Sequence, residues 1–140
     1  MKESSQGKRG RRKKRIAELT EAEWTIMEVV WEHQPCAAGT VQEALTSTKD
    51  WSYATVKITM DRMKKKDFLE VTKVRNLQLF SATIDKVAAR RGELHSMLKR
   101  AFDGALTPMV QFLVDHEGIS PEDAQRLREL ADKAEKQEGD

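Results

Sequence analysis

Three short helices, the first and third with clear start signals, an alternating hairpin directly after the third, and amphipathic helices from there on predict a mainly α protein with a small β-hairpin wing. The expected order is a basic arm, residues 1–15, a winged helix-turn-helix domain, residues 16–82, and a three-helix dimerisation domain, residues 83–140. At 140 residues, 39% of them apolar, the chain can build a modest core but not a large catalytic cleft.

Charge sets the arm apart. The net +2 resolves into +7 over residues 1–15, −2 over 16–82 and −3 over 83–140. The run "GKRGRRKKR", Gly7 to Arg15, has no apolar residue to bury and is expected to be a disordered, solvated arm. Such a run suits nucleic acid, because each Lys or Arg placed on a phosphate releases condensed counterions; a solubilising tail is the alternative.

The first helix opens at "LTEAEW", where Thr20 as N-cap and Glu23 three residues on make a capping box, with Leu19 and Trp24 spaced as a hydrophobic staple. It is expected to reach Gln34, to bury Trp24, Met27, Val30 and Trp31, and to stop at Pro35, whose ring cannot continue the helical hydrogen bonding. A second helix, Ala38 to Thr46, buries Val41, Ala44 and Leu45. The lone Cys36 between them can form no internal disulfide and reads as a small turn residue in a reducing compartment.

Ser52 is the N-cap of a third helix, Tyr53 to Lys66. At about 100° per residue, Val56, Thr59, Met60 and Met63 fall on one stripe and face the core. The opposite side presents Ala54, Thr55, Lys57, Ile58, Asp61, Arg62 and Lys65. A merely solvated face seldom includes an isoleucine, whereas a thymine methyl beside hydrogen-bonding side chains suits one. Three short helices ending in such an element describe a helix-turn-helix variant, with Ser52, Ala54, Thr55, Lys57, Ile58, Arg62 and Lys65 as candidate DNA contacts.

Two extended runs follow, "FLEVTK" from Phe68 to Lys73 and "LQLFSA" from Leu77 to Ala82, around the turn Val74, Arg75, Asn76. Leu69 and Val71 alternate with Glu70 and Thr72, as Leu77 and Leu79 do with Gln78 and Phe80, with Phe80 blurring the pattern. A hairpin straight after a recognition helix is a wing. Lys73 and Arg75 at its tip are candidates for backbone phosphate, or simply a solvated basic turn.

The remaining helices carry stripes they cannot cover themselves. Ile84 to Phe102 bears Val87, Leu94, Leu98 and Ala101, "DGALTP" interrupts it, and Pro108 to His116 offers Met109, Val110, Leu113 and Val114. The last helix starts at N-cap Ser120 with Pro121 in its first turn, and its apolar side is Ala124, Leu127, Leu130, Ala131 and Ala134. About 58 residues in three helices enclose a poor core, so a partner chain is the natural cover, and folding back on the first domain is the alternative. The candidate dimerisation residues are Leu94, Leu98, Met109, Leu113, Leu127, Leu130 and Ala131.

Nothing suggests catalysis. His33, His95 and His116 lie on three different segments, and no HExxH, GxSxG or phosphate-loop signature is present, so neither an enzyme nor a metal or cofactor is expected. No run approaches the roughly 18 apolar residues of a membrane span and no secretory h-region opens the chain, so a cytoplasmic protein without membrane insertion is expected.

The stretches "LTEAEWTIMEVVWE" and "KDWSYATVKITMDRMKKKDFLE" resemble the penicillinase and methicillin-resistance repressors, the BlaI/MecI-type family of bacterial winged-helix regulators, and the resemblance runs from about Leu19 to Leu130. It implies a homodimeric transcriptional repressor that binds a palindromic double-stranded DNA operator, dimerises through its C-terminal helices and answers to a membrane sensor-protease. Ser52, Thr55, Lys57 and Arg62 match the family's recognition-helix pattern. Tyr53 stands where the family usually has proline, Asp67 where a glycine ends the helix, and Arg75 at the wing glycine. The Asn-Phe bond cleaved in the resistance members corresponds here to Ser96-Met97. Beside the repressor stands a different class of function, a protein-interaction module that holds DNA loosely through its basic arm.

Overall fold

The computed structural model describes residues 19–139; the basic arm expected over residues 1–15 lies outside them. The described residues are mainly helical, with one two-stranded antiparallel hairpin. The order is α1 (Glu21–His33), α2 (Ala38–Ala44), α3 (Tyr53–Lys65), β1 (Leu69–Val74), β2 (Leu77–Ala82), α4 (Lys86–Phe102), α5 (Leu106–Phe112), a π-helical turn (Leu113–Glu117) and α6 (Pro121–Gly139).

The expected capping box forms at α1. Glu23 N–H donates to Thr20 Oγ1 at 3.2 Å, and Thr20 N–H donates to Glu23 Oε1 at 2.9 Å, so the two groups satisfy each other's orphan amides. The helix ends at His33, one residue before the extended Gln34 and the proline. Its buried side is Ile26, Met27, Val29 and Val30. Trp24 and Trp31, expected inside, are only half-buried and meet in a tilted contact with ring centroids 6.0 Å apart, while the smaller Ile26 and Val29 fill the interior. Trp31 keeps a polar contact that full burial would have to satisfy elsewhere, donating its indole N–H to Ile84 O at 2.8 Å.

The core unites α1, α2, α3 and the hairpin through Ile26, Met27, Val41, Val56, Met60, Met63, Phe68, Leu69 and Phe80, all nearly or wholly inaccessible. α3 leaves it through a left-handed turn. Asp67 has φ 69°, and the Asp67 and Phe68 amides donate to Lys64 O at 3.0 Å and Met63 O at 2.9 Å, which turns the chain so that Phe68 and Leu69 enter the core.

In the hairpin, Leu69 pairs with Ala82, Val71 with Phe80 and Val74 with Leu77, leaving a two-residue turn at Arg75 and Asn76, φ 52° and 71°. Two positive φ values are what a two-residue loop needs to match strand twist. This register corrects the expected phase of the second strand. Phe80 points into the core opposite Val71, and Leu77 is exposed beside Val74. The reason is non-local: Cys36 exchanges both backbone hydrogen bonds with Phe80, at 3.0 and 2.7 Å, and so adds a one-residue bridge on the open edge of β2 that fixes which side chains face α1 and α2.

The chain divides into two compact units, one ending at Ser96 and the other beginning at Met97. The first unit continues past residue 82 because Ile84 and Lys86 are tied to α1, the latter through Glu28 at 2.8 Å, and Ala89 is fully buried. In the second unit Asp103 and Gly104 take positive φ and turn the chain out of α4, and Phe112 packs between Phe102 and His116 at centroid distances of 5.8 and 4.5 Å. α6 opens as its sequence predicts, with Ser120 Oγ accepting from Asp123 N–H at 3.0 Å and Pro121 as the first helical residue.

Candidate nucleic-acid interface

α3 has one face in the core and the other in solvent. Val56, Met60 and Met63 are wholly buried, one turn apart, and this fixes the helix about its axis. Thr59, expected on that stripe, sits at its edge and returns its hydroxyl to Thr55 O at 2.8 Å. Ser52 caps the helix, its Oγ accepting from Thr55 N–H at 3.1 Å and donating to Thr55 Oγ1 at the same distance, so these two candidate contacts are already engaged with each other.

The outward face brings several of the expected residues together. Ile58 is 56% exposed, and it lines one shallow depression with Asp61, Arg62 and Lys65. Ala54 lies exposed one turn before Ile58. Lys57 occupies the flank of the helix nearer the wing, where it shares a hollow with Tyr53, Asn76, Leu77 and Gln78. Its ammonium donates to both carboxylate oxygens of Asp61, at 3.0 and 2.8 Å. Lys73 and Arg75 are exposed on the wing and do not line that hollow.

Two residues of this surface, Tyr53 and Asp61, are not among the DNA contacts expected from the sequence, although Asp61 is expected on the outward face. Tyr53, at the first position of the helix, is 52% exposed; its departure from the family's proline was the available signal. Asp61 follows Lys57 by four residues, the spacing at which side chains of opposite charge meet on a helix.

The orientation of α3 is held from both ends. Lys66, its C-cap, reaches Glu23 in the first turn of α1, and Glu23 is buried to 2%. At the other end, Gln42 Nε2 of α2 donates to Trp51 O at 3.3 Å, just before the N-cap. Between α1 and α2, Cys36 is buried, and burial pushes its thiol pKa up.

The expected dimerisation residues divide between the two units. In the first, Leu94 is 46% exposed. In the second, Leu98 is already buried within the single chain, Met109 is half-buried, and Leu113, Leu127, Leu130 and Ala131 are exposed. Leu113 and Leu127 line one hollow with Gly118, Ile119, Asp123 and Arg126. Among the described residues no group of His, Cys, Asp and Glu is gathered as a metal centre, and no helix is long and apolar enough to cross a membrane.

The family model described as penicillinase repressor matches residues 19–133. The chain is 22% identical over 116 residues to the methicillin resistance regulatory protein MecI of Staphylococcus aureus strain N315, covering 83% of this chain and 94% of that one. It is 27% identical over 117 residues to the penicillinase repressor of Bacillus licheniformis, covering 84% and 91%, and 20% identical over 113 residues to the penicillinase repressor of S. aureus, covering 81% and 90%.

Proposed function

The chain belongs to the penicillinase repressor family, and we propose that it is a sequence-specific DNA-binding transcriptional repressor that acts as a homodimer on a palindromic operator and is released by an upstream signal such as proteolysis. The observation that carries this reading is the outward face of α3, where an isoleucine 56% exposed lies beside Asp61, Arg62 and Lys65 on a helix whose other face is locked in the core. An apolar side chain in water gains nothing there. Against a major-groove edge it meets thymine methyls, while the residues around it find base and phosphate partners.

Each residue then has a role. α3 enters the major groove with Thr55, Lys57 and Ile58 toward the bases, and Ser52 and Ala54 close to the backbone at its N-terminal end. Arg62 and Lys65 lie on phosphate, as do Lys73 and Arg75 from the wing. Leu94 in the first unit, and Leu113, Leu127, Leu130 and Ala131 in the second, are exposed apolar residues available to a second copy, whereas Leu98 is buried and Met109 half-buried within the chain itself. The names of the relatives, a methicillin resistance regulator and penicillinase repressors, support a role in regulating genes.

The test is competition. The full-length protein bound to a labelled palindromic site selected from its own genome is challenged with random-sequence duplex at fixed salt. A repressor of this kind holds its site against roughly a 10³-fold excess or more, whereas a loosely binding interaction module is displaced by near-equal amounts.

A further inference from the structure

The face of α3 that this reading turns toward DNA carries a carboxylate, and a carboxylate is out of place on a surface that only has to meet phosphate. Asp61 shares its depression with Ile58, Arg62 and Lys65, and its side chain is 46% exposed. When ionised it only accepts hydrogen bonds, and the sugar-phosphate backbone of DNA offers it no donor and a high density of negative charge. In the major groove the donors open to it are the amino groups of cytosine and adenine.

Lys57 narrows the choice. Its ammonium and the Asp61 carboxylate sit side by side 2.8 Å apart, a donor next to an acceptor on one turn of helix. The major-groove edge of a G·C pair has the complementary order: the N7 and O6 acceptors of guanine, then the N4 amino donor of cytosine. Adenine also sets an acceptor beside a donor but gives an ammonium one acceptor where guanine gives two, and so matches less well the three hydrogens that Lys57 can donate. An i,i+4 pair whose carboxylate is 46% exposed is held weakly enough to be rearranged when the helix docks.

We propose that Asp61 is a specificity-determining residue, reading together with Lys57 one G·C pair in each half-site, Lys57 donating to guanine and Asp61 accepting from the cytosine N4 amino group. This rests on α3 being the helix that faces DNA. Asp61 restricts binding rather than strengthening it: it lowers attraction to DNA in general and returns part of that loss only where cytosine supplies a donor.

The experiment selects binding sites from a randomised duplex library with the full-length protein and its D61A, K57A and R62A variants, with melting curves confirming that each is folded. The expected result is a wild-type half-site with a G·C position whose preference falls roughly fivefold or more in D61A. The rest of the site should be retained, and binding of D61A to random DNA should be unchanged or tighter. A D61A variant that selects the wild-type site, or one whose lost preference falls at an A·T position, overturns the proposal. If R62A still weakens binding in that case, the DNA-facing role of α3 survives. Wild-type sites and affinities from all three variants overturn both.

Discussion

Lys66 donates to both carboxylate oxygens of Glu23, at 2.9 and 2.8 Å, across 43 positions of sequence. The Glu23 side chain is 3% exposed and also closes the capping box of α1, so a single carboxylate joins the start of the first helix to the end of the third. Because α3 is the helix that carries the candidate DNA contacts, this pair fixes the angle at which that face is presented. Removing Lys66 leaves the carboxylate buried without its cation. K66M should cost about 2–3 kcal/mol in denaturant unfolding, and E23Q/K66M should recover about 1 kcal/mol or more of it, since the double variant buries no unpaired charge. Additive losses in the double-mutant cycle would show that the two side chains are not coupled.

Arg62→Ala should weaken binding to all duplexes by a similar factor and lower the salt slope by about one counterion, the signature of a phosphate contact. The measurement is affinity for specific and random DNA over a series of salt concentrations. Loss confined to one base position would assign Arg62 to a base edge instead.

The sequence made the starts of α1, α3 and α6 legible, because Thr20, Glu23, Ser52 and Ser120 act on amides within three residues of themselves. The division of α3 into a buried and an outward face was legible for a related reason, since the spacing of Val56, Met60 and Met63 fixes the rotation of the helix. What failed depended on distant partners. Nothing near Phe80 says that Cys36 will bond to its backbone, so the phase of β2 came out inverted. Trp24 and Trp31 are apolar enough to look like core, yet they sit half-buried at its edge as a tilted pair, with the Trp31 indole N–H on the Ile84 carbonyl. The Glu23–Lys66 pair closes over 43 positions and has no local signature.

Burial raises the Cys36 pKa, so folding favours the neutral thiol. The sign follows: the unfolded chain releases this proton more readily, so the stability linked to Cys36 is intact below the ordinary thiol value of 9.0 and is lost as pH rises from there through the folded-state value. As pH rises above 9.0, the wild type should lose stability more steeply than C36A in urea titrations. Parallel curves would remove Cys36 as the cause. In the native state at neutral pH the thiol should also react slowly with a disulfide reagent and become fully reactive in denaturant.

Deleting residues 1–15 should weaken binding to any duplex and flatten its salt dependence, since up to seven net positive charges are removed and each phosphate they neutralise contributes a slope of roughly −0.9. Site preference should be kept, because contacts from Lys and Arg to phosphate position a protein on the duplex but carry no sequence information. An unchanged salt slope would show that it never meets DNA.

The position of a truncation should decide between loss of fold and loss of affinity. A chain ending at Ala82 lacks the Ile84 carbonyl that accepts from Trp31, the Lys86 partner of Glu28 and the buried Ala89, so it should be markedly less stable than the parent. A chain ending at Ser96 keeps all three and should unfold cooperatively. It lacks Met109, Leu113, Leu127, Leu130 and Ala131, the greater part of the apolar surface assigned to a second copy, and should sediment as a monomer. Two recognition helices no longer tethered lose the effective concentration with which the second half-site is bound, and palindrome affinity should fall by a factor on the order of 10² to 10⁴. Half-site affinity, measured on a duplex carrying a single half-site, should hardly change. Proteolysis between Ser96 and Met97 would produce this same fragment, so the pair of measurements also asks whether a cut there could release an operator without unfolding the winged helix. A Ser96 fragment that binds the palindrome as tightly as the intact protein, or an intact protein that sediments as a monomer at concentrations where it occupies the site, would rule out dimerisation through these helices as the source of tight binding.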